Sequence, residues 1–148
     1  MQDIAIYEAK YNDKDKIIGL SKQWEEEGIT YGYAACSQDV LLQYRVWIAN
    51  YYDTAVGFLF GKSEISNGMC VIPKGASYFE IEDFYLLPDF RNKGIGTMFF
   101  KHIEEQLKNE NIKYILLSTA TKDYAKILKF YTEKVGLTVW TTTLFKQI

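Results

Sequence analysis

The sequence predicts an α/β fold with a mixed sheet covered by helices on both faces. Three observations carry this. Apolar runs of strand length alternate with amphipathic stretches in the second half of the chain, in the order βααβββαβαβ. Glu82–Gly96 (EDFYLLPDFRNKGIG) reads as an apolar strand running into a proline-bounded turn that opens directly into a helix. Length and composition fit one ordinary domain: 148 residues, 48% hydrophobic, 24% charged, with no repeat or Pro/Ser-rich linker.

Each element has a local reason. Ile4, Ile6 and Ala9 open a strand over 3–9. Asn12 or Asp13 caps a helix over 13–27 whose inner face is Ile17, Ile18, Leu20, Ser21 and Trp24, with Gly28 as its stop. Ser37 caps a short second helix over 37–43. Tyr44–Ala49 and Ala55–Phe60 are apolar strands joined by the hairpin segment 50–54, and 66–77 is a longer loop. Tyr78–Leu87 is a strand, and Gly94–Asn109 a helix with Ile95, Met98, Phe99, His102, Ile103 and Leu107 along one side. Ile112–Ser118 is a buried strand. A helix over 124–135 ends at Gly136, and the β-branched run Leu137–Lys146 forms the last strand.

Bulk chemistry excludes several functions. The net charge of −2 offers no general attraction to nucleic acid or an anionic membrane. Cys36, Cys70 and the single histidine, His102, make no metal-ligand spacing, so no metal is expected; the cysteines read as reduced and structural, and His102 as a partly buried structural residue. The N-terminus lacks the apolar run of a signal peptide, and no stretch approaches the ~20 apolar residues of a membrane span, so a cytoplasmic location is expected.

Arg91-x-x-Gly94-x-Gly96 stands at the start of a helix. Helix-start N–H groups lack internal partners and carry the positive end of the dipole, and glycine lets a ligand approach the backbone. That combination suits a pyrophosphate, with Arg91 and Lys93 adding charge. The spacing fits neither the dinucleotide-binding nor the P-loop pattern. The competing reading is a strand-to-helix turn with two convenient glycines.

Pro88-Asp89-Phe90-Arg91-Asn92-Lys93-Gly94-Ile95-Gly96 and, downstream, Phe130-Tyr131…Gly136-Leu137 resemble the two signatures of the GNAT superfamily of acyl-CoA N-acyltransferases. The resemblance covers essentially the whole chain. It implies a GNAT fold: a central mixed sheet of six to seven strands, splayed between the fourth and fifth, flanked by about four helices, with acetyl-CoA in the cleft. It further implies that Phe84, Tyr85 and Leu86 pair with the pantetheine. The pyrophosphate loop would be Asn92, Lys93, Gly94, Ile95, Gly96 and Thr97, beside Arg91. Family members often carry Asn and Ala where this chain has Tyr124 and Ile127, so the resemblance implies that the contact of that helix with the cofactor differs or comes from Asp123 or Thr121.

An amine must lose a proton before it attacks a thioester, and the leaving thiolate must gain one. Within the family, Ile81-Glu82-Asp83-Phe84-Tyr85 resembles the segment of polyamine acetyltransferases whose glutamate contacts the amine, so Glu82 is the expected base. Glu80, two residues earlier, shares its face and Asp83 points to the other. Tyr131 is the expected acid. Glu25, Glu26, Glu27, Trp24, Tyr31 and Tyr33 fall where family members border the acceptor site. The expected activity is acetyl transfer to a primary amine of a small cationic molecule such as a polyamine or aminoglycoside. A protein lysine or N-terminus is the second acceptor class, and a non-catalytic acyl-CoA-binding module or a nucleotide-binding domain are the rival functions. The aromatic-rich strands permit a homodimer.

Overall fold

In the computed structural model, which describes residues 3–148, the strands β1 (Ile4–Glu8), β2 (Arg45–Tyr51), β3 (Thr54–Ile65), β4 (Ser77–Leu86) and β5 (Tyr114–Leu117) form one sheet in that order. The first four are antiparallel neighbours, and β5 runs parallel to β4. The helices are α1 (Asp15–Glu27), α2 (Gln38–Leu41), α3 (Ile95–Asn109) and α4 (Tyr124–Lys129), the last running into a π-helical turn over Phe130–Lys134. Among the described residues no helix is long and apolar enough to cross a membrane.

Alternation along the strands builds a core on each face. Val46, Ile48, Phe58 and Phe60 pack under Ile17 and Leu20 of α1 and Leu41 of α2. Trp47, Ala49, Leu59, Phe79 and Ile81 pack under Phe99, Phe100, Ile103 and Leu107 of α3, together with Tyr131. Burying side chains of this size removes roughly 1.5–3 kcal/mol each of apolar exposure from water. The β1–β2–α3 corner is tied by Arg45, which grips Glu8 and Glu110, and by the Trp47 indole donating to Gln106 at 2.9 Å.

Several expectations are corrected. Among the described residues the sheet has five strands, not six or seven, because Leu137–Lys146 joins no strand. Its β-branched composition supplies propensity but no partner surface, and propensity counts only against a neighbour. Leu144 and Phe145 are accordingly 92% and 81% exposed. The helix expected over 124–135 is interrupted: the Thr132 hydroxyl donates to the Leu128 carbonyl at 2.7 Å, the group an α-helical N–H would use, and Val135 N–H reaches back to Phe130 instead. α1 starts two residues late, after a 3-10 turn over Tyr11–Asp13, with Lys14 at its N-cap. Ser37 occupies the N-cap of α2 but its hydroxyl makes no capping bond. His102 faces solvent rather than the core, and Met98 is also exposed.

Candidate active site

β4 is ten residues long and β5 only four. Their pairing ends at Ile81↔Leu117, where β5 stops, so the sheet opens there and, among the described residues, the β4 edge over residues 82–86 on that side has no strand beside it. This is the opening expected between the fourth and fifth strands. The α1–α2 connection is tied to the segment that follows β5 by an isolated bridge between Thr30 and Thr121.

The loop after β4 presents a row of free donors. Arg91 N–H bonds the Pro88 carbonyl and Met98 N–H bonds the Gly94 carbonyl; among the described residues, the six N–H groups from Asn92 to Thr97 between them have no acceptor. Gly94 is the N-cap of α3 with φ of +79°, a conformation that a side chain strains. Asn92, Lys93 and Gly94 are exposed, and Phe130 packs across Gly96. An open row of N–H groups at a 15-residue helix start fits a diphosphate.

Arg91 does not face that row. Its Nε donates to the Leu86 carbonyl at 2.8 Å, and its two Nη groups donate to Glu27 at 2.9 Å each. The Tyr85 hydroxyl donates to the same Glu27 carboxylate. Arg91, expected beside the pyrophosphate, is therefore engaged with the end of α1, because Glu27 offers a partner at bidentate geometry. Glu27, expected among acids drawing in a substrate, is its counterion, whereas Glu25 and Glu26 are exposed. Lys93 lies over the Phe90 ring, 5.9 Å from its centroid.

A β-bulge sets the acids. The β3–β4 register steps from Gly61↔Ile81 to Phe60↔Asp83, leaving Glu82 as the extra residue of β4. Gly61 makes the close approach possible: a Cβ there would lie 2.1 Å from the Glu80 carbonyl oxygen. The bulge shifts the alternation by one. Ile81 and Phe84 both pack on the α3 side, while Tyr85 joins the α1-side core and Asp83 bonds Tyr33 there. Asp83 thus does not point away from the acceptor-side residues, as strict alternation from Glu82 implied; Glu82 itself is exposed on the bulge.

Asp83 sits in a small polar network. Its Oδ2 accepts from the Tyr33 hydroxyl at 3.2 Å; that hydroxyl also lies 2.9 Å from Ser21 Oγ, which accepts from the Cys36 N–H at 2.7 Å. Burial raises the Asp83 pKa from 3.8 to about 6, against the lowering effect of the Tyr33 bond. Burial likewise pushes the Tyr33 hydroxyl and the Cys36 thiol up. Trp24 stacks on Tyr33 at 3.9 Å and on Tyr85 at 5.3 Å, and its indole N–H donates to Thr30 at 3.0 Å. A cavity of about 330 Å³ opens among Tyr33, Ala35, Cys36, Phe60, Glu82 and Asp83. Tyr31, expected in the same wall, is instead exposed, with Phe145 packed edge-on against it.

Tyr131 is 9% exposed, in the α3-side core beside Phe130. Desolvation pushes its hydroxyl up to about 12, so it keeps its proton at any working pH. Phe84 packs edge-on against Phe99, placing the expected pantetheine-pairing residues Phe84, Tyr85 and Leu86 along the free β4 edge. The sequence reading missed Asp83's orientation and the Arg91–Glu27–Tyr85 contact. The bulge had a signal: Phe79-Glu80-Ile81-Glu82-Asp83-Phe84 alternates and then slips by one at adjacent carboxylates.

The fold has many solved relatives. One is an aminoglycoside acetyltransferase from an uncultured soil metagenomic sample, in complex with sisomicin: 14% identity, TM-score 0.74, covering 99% of this chain and 97% of the other. A ribosomal-protein-alanine N-acetyltransferase from Brucella melitensis biovar Abortus 2308 is 15% identical with TM-score 0.73, covering 97% and 99%. A predicted acetyltransferase with acetyl-CoA from Clostridium acetobutylicum is 18% identical with TM-score 0.70, covering 97% and 96%. No curated protein matches the sequence closely enough to count as a relative. Residues 8–137 match the acetyltransferase (GNAT) family, and with the splayed sheet and the donor row before α3 the conclusion is plain: this chain belongs to that family of N-acetyltransferases.

Proposed function

We propose that this N-acetyltransferase moves the acetyl group of acetyl-CoA to a primary amine on a small cationic molecule. The observation that carries the acceptor class is the cavity in which the half-buried Asp83 and the exposed Glu82 lie among the rings of Tyr33, Tyr44 and Phe60. Aromatic faces and carboxylates together favour an ammonium group over a neutral or anionic one.

The donor side follows from the loop. The free N–H groups of Asn92, Lys93, Gly94, Ile95, Gly96 and Thr97 hold the diphosphate of coenzyme A, and the unpaired edge at Phe84, Tyr85 and Leu86 takes the pantetheine as an added strand. On the acceptor side, Asp83 receives the ammonium proton. Its pKa near 6 leaves it ionised above neutrality yet basic enough to take a proton. Glu82, exposed on the bulge beside the same cavity, passes that proton through water to solvent. The freed nitrogen lone pair forms the C–N bond at the thioester carbonyl, and once Glu82 has relayed the first proton away, Asp83 takes the second proton from the nitrogen so that a neutral amide results. When the C–S bond breaks, the Tyr131 hydroxyl gives its proton to the departing sulfur and is reprotonated from solvent.

Release of coenzyme A thiol over a panel of polyamines, aminoglycosides and lysine peptides tests this reading. Turnover on a polycationic small amine, lost about 100-fold or more in Asp83→Asn, is the expected result. Turnover confined to peptide amines overturns the acceptor class.

A further inference from the structure

We infer that Arg91, although it lies in the cofactor loop, is a positioning residue for the acceptor side. Its donors are already committed. Nε bonds the Leu86 carbonyl at 2.8 Å, and the two Nη groups hold both oxygens of Glu27 at 2.9 Å. The guanidinium also lies over the Tyr85 ring, 5.3 Å from its centroid. Glu27 is the last residue of α1, so the contact pins that helix end to the end of β4.

From there the contacts run without a gap to the acid. Tyr85 donates its hydroxyl to Glu27 and stacks on Trp24 at 5.3 Å. Trp24 stacks on Tyr33 at 3.9 Å, and Tyr33 donates to Asp83 at 3.2 Å. The Arg91 and Glu27 side chains are 29% and 21% exposed, so the pair is screened less than a surface ion pair. One side chain therefore bonds the last residue of the pantetheine edge and steadies the stack that backs Tyr33, the member of it that lines the acceptor cavity. Only a planar fork does both, since it bonds a carboxylate with two parallel N–H groups while lying on an aromatic face; an ammonium does not.

The inference rests on reading the Asp83 cavity as the acceptor site, and three measurements test it separately. Coenzyme A binding is measured by calorimetry, backbone amide exchange is followed over residues 22–33, and spermidine is the amine probe for the wall. In Arg91→Gln, coenzyme A affinity stays within about threefold of wild type, because the loop N–H groups and not the guanidinium hold the diphosphate. Exchange over 22–33 accelerates about tenfold or more while that of the α3 helix is unchanged. Arg91→Lys keeps the charge and fails to restore the protection. Glu27→Gln reproduces both results, and the double variant is no worse than either single one, as expected when two residues serve one contact. Spermidine protects 22–33 from exchange in wild type and not in these variants.

A loss of coenzyme A affinity of about tenfold or more in Arg91→Gln overturns the inference and makes Arg91 a phosphate ligand. Unchanged exchange over 22–33, rescue by lysine, or additive effects of the two substitutions overturn it equally. If Arg91→Gln does not fold, Glu27→Gln decides the matter by the same two readouts. Failure of spermidine to protect 22–33 in wild type overturns the polyamine reading of the wall. Failure of wild type to bind coenzyme A overturns the cofactor reading itself, leaving the Arg91 contact to be judged by exchange alone.

Discussion

Asp83 should lower stability where it raises activity. Burial moves its pKa from 3.8 to about 6. At 1.36 kcal/mol per pH unit, holding that carboxylate ionised inside the fold costs about 3 kcal/mol at pH 8. The sign is fixed by the direction. A folded-state pKa above the unfolded one favours folding fully below pH about 4, and that contribution is lost as the pH rises through about 6. Asparagine keeps the shape and still accepts from Tyr33, but gives up a charge-assisted bond worth about 1 kcal/mol. Asp83→Asn should therefore be about 2 kcal/mol more stable than wild type at pH 8, a rise of roughly 4–8 °C in Tm for a chain of this size. The advantage should vanish by pH 4. Thermal melts of both proteins at pH 4, 6 and 8, beside turnover at pH 8, make the assay. A variant no more stable at pH 8 than at pH 4, relative to wild type, would refute burial as the origin of the shift.

Three further outcomes are expected. Gly61→Ala places a Cβ 2.1 Å from the Glu80 carbonyl oxygen, so the β3–β4 register must yield. A loss of about 2–4 kcal/mol in urea melts, with loss of turnover, is predicted. Tyr131→Phe should reduce turnover about 100-fold or more while coenzyme A affinity changes less than about twofold, measured by thiol release and calorimetry. The rate should rise with the ionisation of Asp83 through pH about 6, level off above neutrality and show no descending limb from Tyr131 below pH about 11, read from a kcat/KM profile.

Periodicity made the middle of the chain legible. The face Ile95, Phe99, Ile103 and Leu107 of α3, and the apolar runs of β2 and β3, declare themselves because burial on a regular element repeats. The donor row was equally legible, since Pro88, Gly94 and Gly96 mark a turn and a helix start by local chemistry. What could not be read directly depends on pairs distant in sequence. The bulge at Glu82 is accommodated by Gly61, twenty-one positions away, and it reverses the face on which Asp83 falls. Arg91 looked like a phosphate ligand because charge beside a glycine loop suggests one; its partner Glu27 lies sixty-four residues earlier. Composition predicts a strand after Gly136 but says nothing of whether an edge receives it.

We propose that backbone donors before α3 and the open edge of β4 hold coenzyme A. Amide resonances followed during a coenzyme A titration test it most directly. Shifts concentrated on Asn92–Thr97 and Phe84–Leu86 are expected. No shift at millimolar coenzyme A, or shifts confined to other elements, would contradict it.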